Sequence, residues 1–230
     1  MLHIDVVTLF PEMFAPAIGL SIVGRAQQRG LVEIELHHLL DALGGGERAD
    51  DRPFGGGPGM VLRAEPIARI LDGILARAPA NERRAIVITA AAGTPFRHTD
   101  AARMAELDRL VVVCGHYEGI DERLVGLYGA AEFSLGDFVL TGGEIPALAF
   151  IDATVRLIDG AINAEALASE SFAGDVLDAP AFTRPAVFRG FAIPEVLLSG
   201  DHAKIAAWRR DQSRARTVAR RADLLEHEGT

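Results

Sequence analysis

The residues with most chemical potential in this chain lie in three glycine-bearing segments, a few scattered charges and one basic stretch. Residues 50–60 read DDRPFGGGPGM. Four glycines and two prolines in eleven residues exclude helix or strand interior, and glycine lets backbone approach a ligand closely. The Lys-Ser/Thr pair of a phosphate-binding P-loop is missing, and the spacing is not a dinucleotide fingerprint. A plain surface loop accounts for the glycines. Asp50, Asp51, Arg52 and Phe54 beside them suit a loop that closes over a polar ligand. Residues 114–123, CGHYEGIDER, set His116, Tyr117 and Glu118 between Gly115 and Gly119. Helix-start chemistry accounts for Asp121 and Glu122, and Cys114 reads as a small core residue. Residues 134–146, SLGDFVLTGGEIP, run through a Gly-Gly turn into a helix start. Backbone N–H groups are unpaired there and can face a ligand.

The remaining charges are ambiguous by residue type. Arg156 can pair with Asp152 one helical turn earlier, worth about 0.3–0.5 kcal/mol. Glu170, Asp175 and Asp178 fall in an irregular stretch where solvated acids are common. Between residues 202 and 221 there are seven basic groups and one acid, Asp211. A solvated amphipathic face needs less charge than that, and phosphate backbone is the natural counterpart.

Alternating strands and helices must position these groups. Apolar runs at 3–10, 32–39, 85–90, 110–115 and, more weakly, 133–140 predict strands. Segments 18–28, 66–76, 99–107 and 121–127 have helical spacing between them. The alternation predicts an α/β fold with a mostly parallel sheet covered on both faces by helices. Ligands bind such sheets at the carboxyl ends of strands, where the second and third glycine segments fall. Residues 144–158 predict a helix with Pro146 in its first turn and Leu148, Ile151, Val155 and Ile158 as its apolar stripe. The period then fails over 163–180, and a loop without fixed structure is expected. A long helix is predicted from Asp201 to about Arg221, capped by Ser199 or Asp201. On it Ile205, Trp208, Ala215 and Ala219 share one face. Arg209, Arg216 and Arg220 share a second, and Arg210, Arg214 and Arg221 a third.

The chain has 230 residues, 49% hydrophobic and 24% charged, with a net charge of −9, which excludes whole-chain disorder. A single cysteine excludes a disulfide framework and a cysteine-based zinc site. No apolar run approaches the ~20 residues of a membrane span. Without an export signal, a cytoplasmic protein is expected. An acidic total argues against a nucleic-acid partner, but its distribution reverses that inference. Residues 184–230 carry nine basic and six acidic groups, a net of +3, so residues 1–183 carry −12.

In this order DDRPFGGGPGM, CGHYEGIDER, SLGDFVLTGGEIPA, FTRP and LLSGDHAKIAAWR, preceded by LFPEMF and Gly24-Arg25, resemble the bacterial tRNA (guanine-N1)-methyltransferases, the TrmD type of the SPOUT superfamily. The resemblance spans about residues 1–225. It implies a knotted α/β domain over 1–160 containing a deep trefoil knot, a flexible linker over 161–180, and a small helical tRNA-binding domain over 181–230. It further implies an obligate homodimer, S-adenosylmethionine as methyl donor, and methylation of N1 of the guanosine at position 37 in the anticodon stem-loop of tRNA. The family's cofactor-binding positions fall here on Thr89, Gly115, Tyr117, Gly119, Phe138, Val139, Leu140, Thr141, Gly142, Gly143 and Pro146. Its catalytic arginine falls on Arg156. Its catalytic aspartate aligns with Glu170, whose extra methylene moves the carboxylate by roughly 1.5 Å, with Asp175 and Asp178 as substitutes. Asp50, Gly59, Glu118, His202, Arg209 and Arg214 are implied as substrate-binding. Glu118 also implies a magnesium requirement without a tight protein site, since Mg²⁺ keeps its waters and borrows substrate oxygens. Ala90, Ala91 and Ala92 depart from the Ser-Pro-Gln of many members. Two rival readings stay open: another knotted methyltransferase acting on ribose or rRNA, and an RNA-binding protein that has lost catalysis.

Overall fold

The computed structural model describes residues 1–168, 170–172, 174 and 176–225. In chain order its elements are β1 (Leu2–Thr8), α1 (Ala15–Ile18), α2 (Ser21–Gln28), β2 (Val32–His38), β3 (Asp50–Asp51), β4 (Val61–Leu62), α3 (Ala64–Arg77), β5 (Arg84–Pro95), α4 (His98–Ala105), β6 (Arg109–Cys114), α5 (Arg123–Tyr128), β7 (Ala131–Ser134) and α6 (Glu144–Val155). After these come α7 (Ala164–Ala168), β8 (Val187–Phe188), β9 (Phe191–Ala192) and α8 (His202–Arg220). They form two compact units, Met1–Ile162 and a second beginning at Asn163.

The first unit is built on a five-stranded sheet in the order β2-β1-β6-β5-β7, with every pairing parallel. Central strands of such a sheet are covered on both faces and must be apolar on both. In β6, Leu110, Val111, Val112 and Val113 are all buried. One face packs Ile4, Val6, Leu110 and Val112 against Val23 and Ala26 of α2, Met104 of α4, and Ala147, Phe150, Ile151 and Val155 of α6. Phe96 stacks on Phe150 at 4.2 Å within this core. The other face packs Val7, Ile86, Ile88, Val111 and Val113 against Ile67, Leu71 and Ile74 of α3 and Leu124 of α5.

A polar network also crosses the sheet. Asp5 of β1 is 1% exposed and pairs with Arg109 of β6 on one side. On the other, His37 Nε2 of β2 lies 2.7 Å from Asp5 Oδ1. Arg109 Nε also donates to Glu82 at 3.1 Å. Burial pushes the Asp5 carboxyl up, but the hydrogen bonds from His37 and Arg109 outweigh it and hold it below its ordinary range. This network pins three adjacent strands through side chains as well as through the ladder.

Several expectations change. The fifth strand stops at Ser134 instead of continuing to 140, because Ser134 Oγ bonds both the N–H and the carbonyl of Gly136 and turns the chain out of the ladder. The third strand is longer than expected, and its pairing with β7 shifts register between Thr89 and Thr94, so the intervening residues bow outward as a bulge. The first helix is broken into α1 and α2 around Gly19 and Leu20. A Cβ on Gly24 would collide with the Gly19 carbonyl there. Helix α6 ends at Val155, leaving Arg156 as its C-cap.

In the second unit, the segment expected to lack fixed structure carries α7. Leu177 N–H donates to Thr217 Oγ1 at 2.9 Å, Ser213 Oγ to the Leu177 carbonyl, and Arg216 to the Asp178 carbonyl at 3.2 Å. Asp201 caps α8, its Oδ1 accepting from Lys204 N–H at 3.1 Å. The covered face of α8 is rotated from the expected one. Ala215 and Ala219 are exposed, while Ser213, Arg216 and Thr217 turn inward with Ile205 and Trp208. Hydroxyl groups bonded to the backbone at Leu177, and not apolar residues alone, set that rotation. No helix among the described residues is long and apolar enough to cross a membrane.

Candidate functional site

Strands β6 and β7 end in glycine-bearing turns beside the middle of β5. The residues after Thr89 of β5, after Cys114 of β6 and after Ser134 of β7 surround a cavity of about 340 Å³. That is the size class of small-molecule sites. All eleven positions expected to bind a cofactor line it, together with Glu118 and the departing triplet Ala90, Ala91 and Ala92. The apolar side chains nearest the opening are held out of the core: Phe138 is 56% and Val139 85% exposed.

Hydrogen bonds tie these segments together. Gly115 N–H donates to Thr89 Oγ1 at 3.0 Å, and Gly143 N–H to the Gly115 carbonyl at 2.7 Å. His116 and Gly142 form an antiparallel bridge. Gly143 is seated so closely that a Cβ there would lie 2.6 Å from Gly115 N and 2.9 Å from Cys114 Cα, and would overlap Thr89 Oγ1. Only a residue without a side chain fits that crossing. Tyr117 takes a left-handed conformation, φ 59°, unusual for a bulky residue. The tightness of the flanking turns holds it there, with its ring 54% exposed at the cavity.

The glycine-rich loop leaves from β3 and returns through β4, which pair antiparallel, Asp50 opposite Leu62 and Asp51 opposite Val61. Its return is stitched to the second turn: Glu118 N–H donates to the Met60 carbonyl and Leu62 N–H to the Gly119 carbonyl, both at 3.0 Å. Gly59 packs directly against the Glu118 side chain, so two expected substrate-binding positions meet. Asp50 is half-buried and pairs with Arg48 at 3.3 Å. Phe54 at the tip is fully exposed.

Buried charge lies beneath this cavity. Glu144, the first residue of α6, is 2% exposed and accepts from Thr8 Oγ1 at 2.9 Å. Burial, and then the charge of Glu144, push the Cys114 thiol well above its ordinary range, which makes it an inert core group and not a nucleophile. Glu132, at the cavity wall, is also raised, by burial and by like-charged Glu122. Sequence named His116 without assigning it a role, and did not single out Glu132 or Glu144. His116 stood inside a recognised segment, but Glu144 has the signature of any acid opening a helix.

The other expected residues lie elsewhere. Arg156 ends α6 in the first unit, half-buried. Glu170, Asp178, His202, Arg209 and Arg214 belong to the second unit. Asp178 shares two hydrogen bonds with Ser171. His202, Arg209 and Arg214 are exposed on α8. Asp175 lies outside the described residues. Among the described residues one cluster could offer three ligands to an ion, Asp5, Glu35 and His37. None of the three lines the cavity, and Arg109 already pairs with Asp5.

Residues 2–227 match a family described as tRNA (guanine-1)-methyltransferase TrmD. The chain is 49% identical over 224 residues to the tRNA (guanine-N(1)-)-methyltransferase of Syntrophotalea carbinolica, covering 96% of this chain and 89% of that protein. It is 47% identical over 227 residues to the proteins of the same name from Parafrankia sp. and Streptococcus mutans. Those matches cover 98% of this chain and 80% and 92% of the respective relatives.

Proposed function

The chain belongs to the tRNA (guanine-1)-methyltransferase TrmD family, and from that premise we propose that it methylates N1 of the guanosine at position 37 of tRNA, 3′ of the anticodon. Methyltransferases of this family use S-adenosylmethionine as methyl donor. The observation that carries the reading is the cavity at the strand ends, walled by the Gly115–Gly119 and Gly142-Gly143 turns.

The residues present fit that donor. Gly143 lets its turn seat directly on Gly115 and Thr89, which leaves the space the turns enclose, about 340 Å³, open to a small molecule. Backbone amides of the turns offer directional polar contacts, and exposed Phe138, Val139 and Leu140 offer apolar surface for a flat heterocycle. Thr89, Tyr117, Thr141 and Pro146 complete the wall. When bound, S-adenosylmethionine supplies an electrophilic methyl group on a sulfonium.

The protein must then make guanine N1 nucleophilic, because N1 carries a proton at neutral pH. Glu170 is the general base in this reading, taking that proton as the methyl bond forms. Arg156 stabilises negative charge developing on guanine O6. Asp50, Gly59 and Glu118 hold the base from the glycine-rich loop and the turn it is stitched to. His202, Arg209 and Arg214 meet the phosphates of the anticodon stem-loop.

The same reading carries a homodimer, a cytoplasmic location, a trefoil knot in the first unit and a magnesium requirement met largely by water and substrate oxygens. The close crossing of Gly143 over Gly115 and Thr89 supports the knot. The test is methyl transfer to tRNA transcripts bearing G or A at position 37, with the product mapped to the base atom. Transfer to G37 at N1 is expected; equal transfer to A37 would reject the assignment. Calorimetry with S-adenosylmethionine separates this enzyme from an RNA-binding homologue, which would show no binding.

A further inference from the structure

His116 lines the cavity wall, yet its Nδ1 is buried and has no hydrogen-bond partner. A buried polar atom left unpaired is costly and calls for a reason. The group facing it is the Glu144 carboxylate, whose Oε2 lies 4.0 Å away. That is about 1 Å beyond a hydrogen bond. Glu144 is itself anchored from behind, its Oε1 accepting from Thr8 Oγ1 of the central strand. The imidazole is held laterally by two rings, Phe10 at 5.3 Å and Tyr117 edge-on at 4.6 Å. Gly142 lies between the pair: a Cβ there would sit 2.6 Å from His116 Nδ1 and would also collide with Glu144 Oε2. The space between imidazole and carboxylate is therefore kept clear by glycine.

We propose that His116 and Glu144 are a positioning pair for the methyl donor, in which occupation of the cavity presses the His116 ring inward until Nδ1–H donates to Glu144 Oε2. The closure spans the two turns that wall the cavity, because His116 belongs to the turn after β6 and Glu144 to the helix after Gly142-Gly143. It adds a side-chain bond to the existing main-chain ties, and it fixes Tyr117, which leans on the imidazole. Neither residue touches the reacting atoms in this scheme. The pair stabilises the occupied form of the cavity, so its loss weakens donor binding and leaves the proton transfer from guanine N1 to other groups. This inference rests on the reading of the cavity as the S-adenosylmethionine site.

The test is calorimetric titration of S-adenosylmethionine into wild type, His116→Phe, His116→Asn and Glu144→Gln, with melting temperatures and steady-state kinetics alongside. Phenylalanine keeps the ring contacts and removes the donor; asparagine places an amide N–H near the position of Nδ1. His116→Phe is expected to weaken binding about tenfold or more, the range of a charge-assisted hydrogen bond, and to raise KM for the donor with kcat nearly unchanged. His116→Asn is expected to stay within about threefold of wild type. Glu144→Gln keeps the acceptor but removes its charge, and is expected to weaken binding by about three- to tenfold. Wild-type affinity in His116→Phe, or equal weakening in His116→Phe and His116→Asn, would overturn the pairing. If His116→Phe does not fold, wild-type affinity in Glu144→Gln would do so. Failure of the wild type to bind the donor is a different result, and it removes the functional reading as well.

Discussion

Substitution of Gly143 by alanine adds a single methyl group at the tightest crossing of the first unit. The new Cβ would stand 2.6 Å from Gly115 N and 2.9 Å from Cys114 Cα, where about 3.5–4.0 Å is comfortable. These two neighbours are main chain, the new carbon would overlap Thr89 Oγ1 as well, and Gly143 is also bonded to the Gly115 carbonyl at 2.7 Å. The strand end and the turn must separate by most of an ångström, straining that bond and the one from Gly115 to Thr89. Overpacking of this kind costs about 1–3 kcal/mol, and rigid backbone on both sides puts Gly143→Ala at about 3. For a unit of this size each kcal/mol lowers Tm by about 2–4 °C, so a drop of about 6–12 °C is expected. Since the turns being separated wall the cavity, affinity for S-adenosylmethionine should fall more than tenfold. Gly73→Ala is the control: Gly73 is exposed within α3 with open space around its missing Cβ. Alanine there should add up to about 1 kcal/mol of stability and leave donor affinity alone. Scanning calorimetry and donor titration read both variants. Gly143→Ala melting within 2 °C of wild type with unchanged donor affinity would refute the crossing as described.

Glu170→Gln should lower single-turnover methyl transfer by at least about 100-fold, the lower range for general-base removal, with donor affinity retained; near-normal turnover would shift the role to another linker acid. Asp5→Asn breaks the cross-strand network and should cost about 3 kcal/mol by denaturant titration, the lower end for a broken buried pair, because Arg109 keeps Glu82. The Asp5 pKa is depressed in the fold, so its stabilisation is present above the unfolded value of ~3.9 and is lost as pH falls through the folded value. The gap between wild type and Asp5→Asn should accordingly close below about pH 4, and a gap that widens in acid would contradict the pairing. Arg209→Ala and Arg214→Ala should each lower the slope of log affinity for tRNA against log salt by about one, without altering donor binding; an unchanged slope removes that arginine from the phosphate contacts.

Strands β1 and β6 were legible because Val, Ile and Leu crowd into short runs there, and burial on both faces is what demands such runs; β2, at the sheet edge, was legible from its apolar–acidic alternation. The glycine segments were legible for a different reason: Gly115, Gly142 and Gly143 sit at close contacts, while Gly55, Gly56 and Gly57 take positive φ in open space. Other features defeat local reasoning. Phe138, Val139 and Leu140 have strand-like composition, yet the Ser134–Gly136 contacts divert them to the cavity opening. The extension of β5 through Ala90 to Pro95 has weak β-propensity and is held by pairing with β7. Helix α6 is apolar nearly all round, so the expected stripe caught the buried Ile151 and Val155 but included half-buried Leu148 and Ile158 and missed Ala147 and Phe150. In α8, hydroxyls bonded to Leu177 outvote the alanines. The order of strands, and with it the meeting of Asp5, His37 and Arg109, depends on long-range pairing that no window of sequence contains.

The cavity is walled largely by main chain, and several of its positions tolerate no side chain at all. Resistance to a competitive inhibitor commonly arises by enlarging or charging a side chain that the inhibitor touches and the natural ligand does not. At Gly142 and Gly143 that route is closed, because the first carbon added collides with the protein before it reaches a ligand. Escape variants selected against such a compound would therefore collect at Phe138 and Val139, which line the cavity with exposed and replaceable side chains. An inhibitor that confines its contacts to the turns would leave fewer places for them to appear.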